Sequence, residues 1–176
     1  MSDRRGRRAE RPGRQIEAAE SRRRRSWDGN SLGAVSEKDP LGLLLDDAAY
    51  VFADVSVFSI PILYTVMMTS PARWYGTKTS ALVAWAAMVG VGTLIRGGWV
   101  RPLGTDVRGW VSLTPWLVLF RVVYFNAALA AAAYGGEAAV QLGSPAGSLA
   151  TGAVVGAVSV GVFPRLAESF YLRVSG

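Results

Sequence analysis

The charged and the apolar residues of this chain occupy separate parts of it. Ten of its seventeen arginines lie in residues 1–40, where large apolar side chains are almost absent, whereas residues 41–176 consist of long apolar runs. A water-soluble domain instead places polar residues on one face of each helix or alternates them along each strand. Four successive runs without a polar face therefore predict a membrane protein.

Each apolar run is close to the length of a membrane-crossing helix, which needs about 20 mostly apolar residues. Strands of a membrane barrel would alternate apolar and polar residues over about ten positions, and these runs do not alternate. We predict an all-α integral membrane protein, a four-helix transmembrane bundle with a disordered basic tail at residues 1–40. Within a membrane domain of residues 41–176, the spans are predicted at about residues 47–68, 79–95, 110–133 and 148–166.

The basic tail carries its arginines in clusters and has too few apolar groups to offset the entropy of folding. The clusters comprise Arg4, Arg5, Arg7, Arg8, Arg22, Arg23, Arg24 and Arg25. Three interpretations stay open: a block that keeps the N-terminus in the cytoplasm, a segment attracted to anionic lipid, and a segment that binds nucleic-acid phosphates. Trp27 is its only aromatic residue that could stack on bases.

The loop charges predict how the spans are oriented. With the N-terminus inside, the inner segments hold 16 lysines and arginines and the outer segments hold 2, so both termini are predicted to face the cytoplasm or an equivalent interior. Trp74, Trp99 and Trp110 stand at the ends of spans, as aromatic anchors in the headgroup layer do, and Tyr134 and Tyr171 are placed similarly. The predicted location is a prokaryotic cell membrane or a viral envelope.

Two ionisable residues lie inside predicted spans, Asp54 in the first and Arg121 in the third. Because an unpaired charge within a bilayer is costly and the two residues differ in depth by only about 6 Å at 1.5 Å per residue, we predict that they pair. Second-layer donors and acceptors are available at Tyr50, Ser56, Ser59, Tyr124 and Asn126. The pair is either a structural contact that fixes helix register or part of an ion or proton pathway.

Small residues at four-residue spacing predict close helix packing. The fourth span carries Gly152 with Gly156, and Ala157 with Gly161, while the second carries Ala86 with Gly90. We expect these two spans to be packing helices, within one chain or between copies in a homo-oligomer.

Prolines predict where the helices are interrupted. Pro61 lies inside the first span and predicts a kink, whereas Pro115 stands close enough to the start of the third to be a first-turn residue. Pro164 is expected to mark where the fourth span approaches the inner surface.

Cysteine and histidine are both absent, which excludes disulfides and the usual zinc, iron–sulfur and haem ligands. No paired carboxylates or phosphate-binding glycine motif occurs in the spans. We expect no metal, no cofactor and no enzymatic activity.

Three functions remain open on the sequence alone. The first is a non-enzymatic structural or accessory membrane protein whose tail contacts anionic lipid or a partner. The second is a virion or nucleoid-associated protein that binds nucleic acid through the tail, and the third is a small transporter or channel that uses Asp54 and Arg121.

The layout of about four spans, short loops and inward termini resembles the small internal membrane proteins of archaeal pleomorphic viruses. The resemblance covers most of the chain and lies in the layout rather than in matched residues. It implies that the arginine clusters from Arg4 to Arg25 face an enclosed genome.

Overall fold

The computed structural model describes residues 40–71, 73–105 and 114–175, and within these residues it contains helices and no strand. The five helices are α1 (Pro40–Phe58), α2 (Ile60–Thr69), α3 (Thr77–Gly97), α4 (Pro115–Gln141) and α5 (Pro145–Ser175). The arginine clusters of the tail, Trp110 and the predicted start of the third span lie outside the described residues.

Three of the helices, α3, α4 and α5, are long and apolar enough to cross a membrane. The consecutive helices α1 and α2 meet the same criterion only together, and they are bent by 63° with respect to each other. The described residues therefore contain three candidate spans, or four if the bent pair is one span.

Helix directions define two ends of the molecule. Asp47, near the start of α1, pairs with Arg96 in the last turn of α3, and we call this the Arg96 end. Arg73, in the loop before α3, pairs with Glu137 near the end of α4, and we call this the Glu137 end. The bent pair α1–α2 thus leads from the Arg96 end towards the Glu137 end, parallel to α4 and antiparallel to α3 and α5.

One apolar core is shared by α1, α3, α4 and α5. Its fully buried members include Val51, Met88, Phe125, Leu129 and Phe163. Aromatic rings extend this core between α4 and α5, where Phe120 stacks against Phe163 and Phe170 at centroid distances of 6.0 and 4.9 Å. Rings in such offset contacts add to the stabilisation from apolar burial.

Two glycines of α5 allow that helix to approach α3 closely. A Cβ atom built on Gly152 would lie 2.5 Å from the Ser80 carbonyl oxygen. One built on Gly156 would lie 2.9 Å from the Ala84 Cα and closer still to the Ala84 carbonyl oxygen. The second and fourth predicted spans therefore do pack together, and the fourth does so through two of its predicted glycines, Gly152 and Gly156.

The face that α3 contributes differs from the predicted one. Ala86 and Gly90 are exposed, and a Cβ on Gly90 would meet nothing within 4 Å. The contact face instead carries Ser80 and Ala84. Ala86 is two positions from Ala84, and residues with this separation point to nearly opposite sides of a helix. On α5, Ala157 is half-buried, and Gly161 lies beside the side chain of Leu103 in the loop after α3 rather than against α3 itself.

Two of the three prolines considered in the sequence, Pro61 and Pro115, stand in the first turn of a helix. The kink predicted at Pro61 is confirmed, since α1 ends at Phe58 and α2 begins with Pro61 in its first turn. Pro115 is the first residue of α4, after the N-cap Thr114, whose hydroxyl accepts a hydrogen bond from the Leu117 N–H at 3.3 Å. Pro164 lies inside α5, which continues to Ser175.

Candidate functional site

The structure brings Asp54 of α1 and Arg121 of α4 together. The distance between Asp54 Oδ2 and Arg121 Nε is 3.6 Å, and the two side chains are 6% and 1% exposed. At that distance the groups form an ion pair in contact rather than a direct hydrogen bond between these two atoms. A charge pair on α1 and α4 therefore lies inside the helix core.

The surroundings of the pair are mostly apolar. Arg121 lies among the core residues, with its guanidinium carbon 6.0 Å from the centre of the Phe163 ring, and Val51 and Val55 of α1 are fully buried on either side of Asp54. Removing two charges from water is costly, and their mutual attraction offsets that cost only if both partners are present. The pair thus links α1 to α4 inside the core.

A second polar feature lies one turn further along the same two helices, where α1 gives way to α2. In an unbroken helix the Ile62 N–H would donate to the Phe58 carbonyl oxygen. Here the Asn126 carboxamide of α4 is inserted between them: its Oδ1 accepts from the Ile62 N–H at 2.8 Å, and its Nδ2 donates to the Phe58 oxygen at 2.7 Å. We call this arrangement the Asn126 clasp.

The clasp explains how an interruption of helical hydrogen bonding can lie between packed helices. Pro61 has no N–H and its ring collides with the preceding turn, which kinks or breaks a helix. A buried backbone group left without a partner costs about 1–3 kcal/mol. Asn126 supplies one donor and one acceptor at the break, and its Nδ2 also donates to the Val122 oxygen of its own helix.

The other predicted second-layer residues take separate roles. The Tyr124 hydroxyl donates to the Ser159 carbonyl oxygen of α5 at 2.8 Å, and Ser56 accepts from the indole nitrogen of Trp85 at 3.1 Å. Ser59, between α1 and α2, donates to the Val55 carbonyl oxygen of α1. Ser56 thus joins α1 to α3, and Tyr124 joins α4 to α5.

A second ion pair lies at the Arg96 end, and it was not predicted from the sequence. Arg96 Nε lies 3.1 Å from Asp47 Oδ1, and the Arg96 guanidinium also lies over the Tyr50 ring at 3.8 Å. Asp47, Tyr50 and Asp54 follow one another at helical spacing, so they share one face of α1. The available signal was depth, because Asp47 begins the first predicted span and Arg96 directly follows the second, on the same predicted side.

The Glu137 end is held by a carboxylate that lies outside the predicted spans. Glu137 Oε2 accepts from both the Thr77 N–H at 3.3 Å and the Thr77 hydroxyl at 3.1 Å. It therefore satisfies backbone at the N-terminus of α3, where a negative charge is stabilising. The preceding residue, Gly76, has φ of 120° and no room for a Cβ beside Glu137.

The predicted aromatic anchors lie near the ends of the helices where they are described. Trp74 at the Glu137 end is 92% exposed, and Trp99 at the Arg96 end is also exposed. Tyr134 is exposed on α4, and Tyr171 is half-buried on α5. Within the described ranges, no group of three or more acidic residues could hold a metal ion.

Fold and site together define an all-helical protein with helices of membrane-spanning length and a buried ion pair beside a broken helix. A family model described as "Domain of unknown function (DUF8215)" matches residues 38–170. This is most of the chain, so the protein belongs to that family. The match begins after the arginine clusters and covers α1 to α4 and most of α5. No curated protein and no solved structure matches the chain.

Proposed function

We propose that this protein is a non-enzymatic integral membrane scaffold that crosses the bilayer four times. In this proposal both termini face the cytoplasm or an enclosed interior, and the arginine-rich N-terminal segment contacts anionic lipid or a partner there. The helices α3, α4 and α5 supply three crossings, and the bent pair α1–α2 supplies the fourth.

The course of the bent pair supports the fourth crossing. A re-entrant segment enters and leaves on one side of a membrane, whereas Asp47 on α1 lies at the Arg96 end and Arg73, shortly after α2, lies at the Glu137 end. The pair therefore has the path expected of a broken span. Backbone that departs from helix is tolerated at membrane depth when it is enclosed by protein and its polar groups have partners, and the Asn126 clasp supplies these partners.

The enclosure of the Asp54–Arg121 pair is the observation that carries the scaffold proposal. A pathway for ions needs polar groups that line a route with water. Here the arginine is almost completely buried and is surrounded by core side chains, which suits a contact that holds helices in a fixed arrangement.

Flux through reconstituted vesicles tests the proposal against a transport function. We expect sealed proteoliposomes containing the full chain to show the same proton and ion leak as empty liposomes of the same lipid. A flux that depends on the protein and disappears in Asp54→Asn, with Arg101→Gln as a control for charge loss outside the core, would replace the scaffold by a channel or transporter.

The proposed contact of the tail with anionic lipid is supported by its net charge of about +4, counted over residues 1–40, since each cation near an anionic membrane contributes about 1 kcal/mol. Co-sedimentation with vesicles in the presence of DNA tests it. We expect little DNA to sediment with protein-bearing vesicles at physiological salt. DNA capture that is sensitive to salt and lost on deletion of residues 1–30 would instead favour nucleic-acid binding.

A further inference from the structure

Helix α5 is longer than a bilayer crossing requires. Its 31 residues correspond to about 46 Å at 1.5 Å per residue, whereas the hydrocarbon core of a bilayer is about 30 Å thick. The excess lies at the Arg96 end, where Arg165, Ser169 and Arg173 follow one another at four-residue spacing. This spacing places the three polar side chains on one face of the helix, and all three are exposed.

These three side chains border a groove of about 490 Å³ between α4 and α5. Its apolar wall consists of Phe120, Val162, Leu166 and Phe170. The volume is within the range of small-molecule sites, roughly 300–1,000 Å³. The groove thus combines two guanidinium groups and a hydroxyl with a continuous apolar surface.

Within the described part of the chain, no acidic side chain neutralises the arginines of the groove. Among the residues that the structure describes, neither Arg165 nor Arg173 makes an ion pair. The nearest acid along the helix, Glu168, accepts a hydrogen bond from the Thr105 hydroxyl at 3.2 Å instead. The positive charge of the groove is therefore available to an anion.

The loop after α3 contacts one of the two guanidinium groups. The Leu103 N–H donates to the Gly161 carbonyl oxygen at 2.8 Å, which holds the loop against α5. A Cβ on Gly104 would lie 2.6 Å from Nη1 of Arg165, so the arginine side chain rests directly on this glycine. This contact excludes part of the space open to the Arg165 side chain, and a side chain with fewer accessible positions loses less entropy on binding.

We propose that this groove binds an anionic phospholipid. The phosphate is held by Arg165, Ser169 and Arg173, and one acyl chain lies against Phe120 and Leu166. Guanidinium groups bind phosphate oxygens through paired charge-assisted hydrogen bonds, and basic pockets between membrane helices are a known type of headgroup site. The apolar wall favours a lipid over a soluble anion, because only the lipid has a chain to cover it.

Native mass spectrometry of the full chain in a mild detergent tests the proposal with two defined probes, phosphatidylglycerol and phosphatidylcholine. We expect the protein to retain phosphatidylglycerol preferentially. Since one cation contributes about a 5-fold change in affinity, the double variant Arg165→Gln/Arg173→Gln should weaken phosphatidylglycerol binding roughly 30-fold. Its binding of phosphatidylcholine should stay unchanged.

The control is Arg101→Gln, which removes one positive charge, as each of the two groove substitutions does, from an exposed arginine at the same end but outside the groove. An unchanged lipid preference in the double variant, or an equal loss in Arg101→Gln, would overturn the proposal. So would displacement of the lipid by millimolar inorganic phosphate, which would identify a site for a free anion. If thermal unfolding reveals that the double variant does not fold, Arg173→Gln alone carries the test, with an expected loss of about 5-fold.

Discussion

Asp54 and Arg121 illustrate how burial changes the value of an ion pair. A pair in the interior is not strongly stabilising compared with apolar residues of similar shape, but the loss of one partner leaves the other as an isolated charge. In this protein the partners lie on α1 and α4 and are almost completely buried. Their role is therefore best measured by removing them separately and together.

We expect Asp54→Asn and Arg121→Gln each to lower the free energy of unfolding by about 3–5 kcal/mol, because each leaves an uncompensated buried charge. The double variant should lose less than the sum of the two losses. Thermal or denaturant unfolding in detergent measures the stability of the unsubstituted protein, the two single variants and the double variant. Additive losses would contradict a direct coupling between the two residues.

The matched control for this cycle is the exposed ion pair at the Glu137 end. Arg73 Nη1 lies 3.5 Å from Glu137 Oε1, which is close to the separation of the buried pair, but the Arg73 side chain is 57% exposed. Surface ion pairs contribute little because water and salt screen them. Arg73→Gln should therefore leave stability almost unchanged.

The pairing of Asp54 with Arg121 could be predicted from the sequence, whereas the role of Asn126 could not. A lone charge inside an apolar run demands a partner at similar depth, and the chain offers only one candidate. The carboxamide of Asn126 was expected to serve that pair, but it serves the backbone break at Pro61. The unpaired backbone groups come within reach of Asn126 only when α1, α2 and α4 are packed together. No spacing in the sequence therefore predicts this contact.

At the level of helices, the Asn126 clasp and Pro61 should behave as one unit. Asn126→Leu removes the partners of the Phe58 oxygen and the Ile62 N–H, and we expect it to cost about 1–3 kcal/mol of stability. In a Pro61→Ala background the helix can regain its own hydrogen bonds, so the same change should cost less. Unfolding of the two single variants and the double variant measures the difference, and equal costs in both backgrounds would refute the coupling.

The contact between α3 and α5 predicts a contrast between two glycines. Gly156→Ala should destabilise the protein by about 1–3 kcal/mol, because the added methyl group has no room against Ala84. Gly90→Ala is the matched control on an open surface, and it should be neutral or slightly stabilising, since alanine favours helix over glycine. Melting temperatures of both variants decide the matter, and similar losses would indicate that Gly90 is also in a tight contact.

The centres of the spans were predictable because bilayer thickness sets their length, but the helix ends were not. Helix α4 runs to Gln141 and α5 runs to Ser175, well beyond the apolar windows at residues 110–133 and 148–166. In the extension of α4, the polar residue Glu137 has a partner in Thr77, which the apolar windows could not reveal. The prediction that Ala86 and Gly90 form a packing face was wrong for a similar reason. The four-residue spacing of small residues does not reveal which side of α3 meets α5.

For the whole molecule, the four-crossing proposal predicts which ends are accessible from outside a cell. The chain has no cysteine, so a single introduced thiol reports its own position. Ser144→Cys, in the turn between α4 and α5, should react with a membrane-impermeant maleimide in sealed cells. Val100→Cys, in the loop after α3, should react only after permeabilisation. The reverse pattern would invert the proposed orientation, and labelling of both in sealed cells would contradict the crossing by α4.

The Asn126 clasp also bears on how the protein is made. Asn126 is separated from Ile62 by 64 positions. The broken segment α1–α2 therefore emerges from the ribosome well before Asn126, whose side chain supplies its missing hydrogen bonds. Until then the segment carries open backbone groups and an acidic residue, Asp54, whose counter-charge is equally late. The bent pair α1–α2 thus obtains all its hydrogen bonds only after α4 has been synthesised and has packed against it.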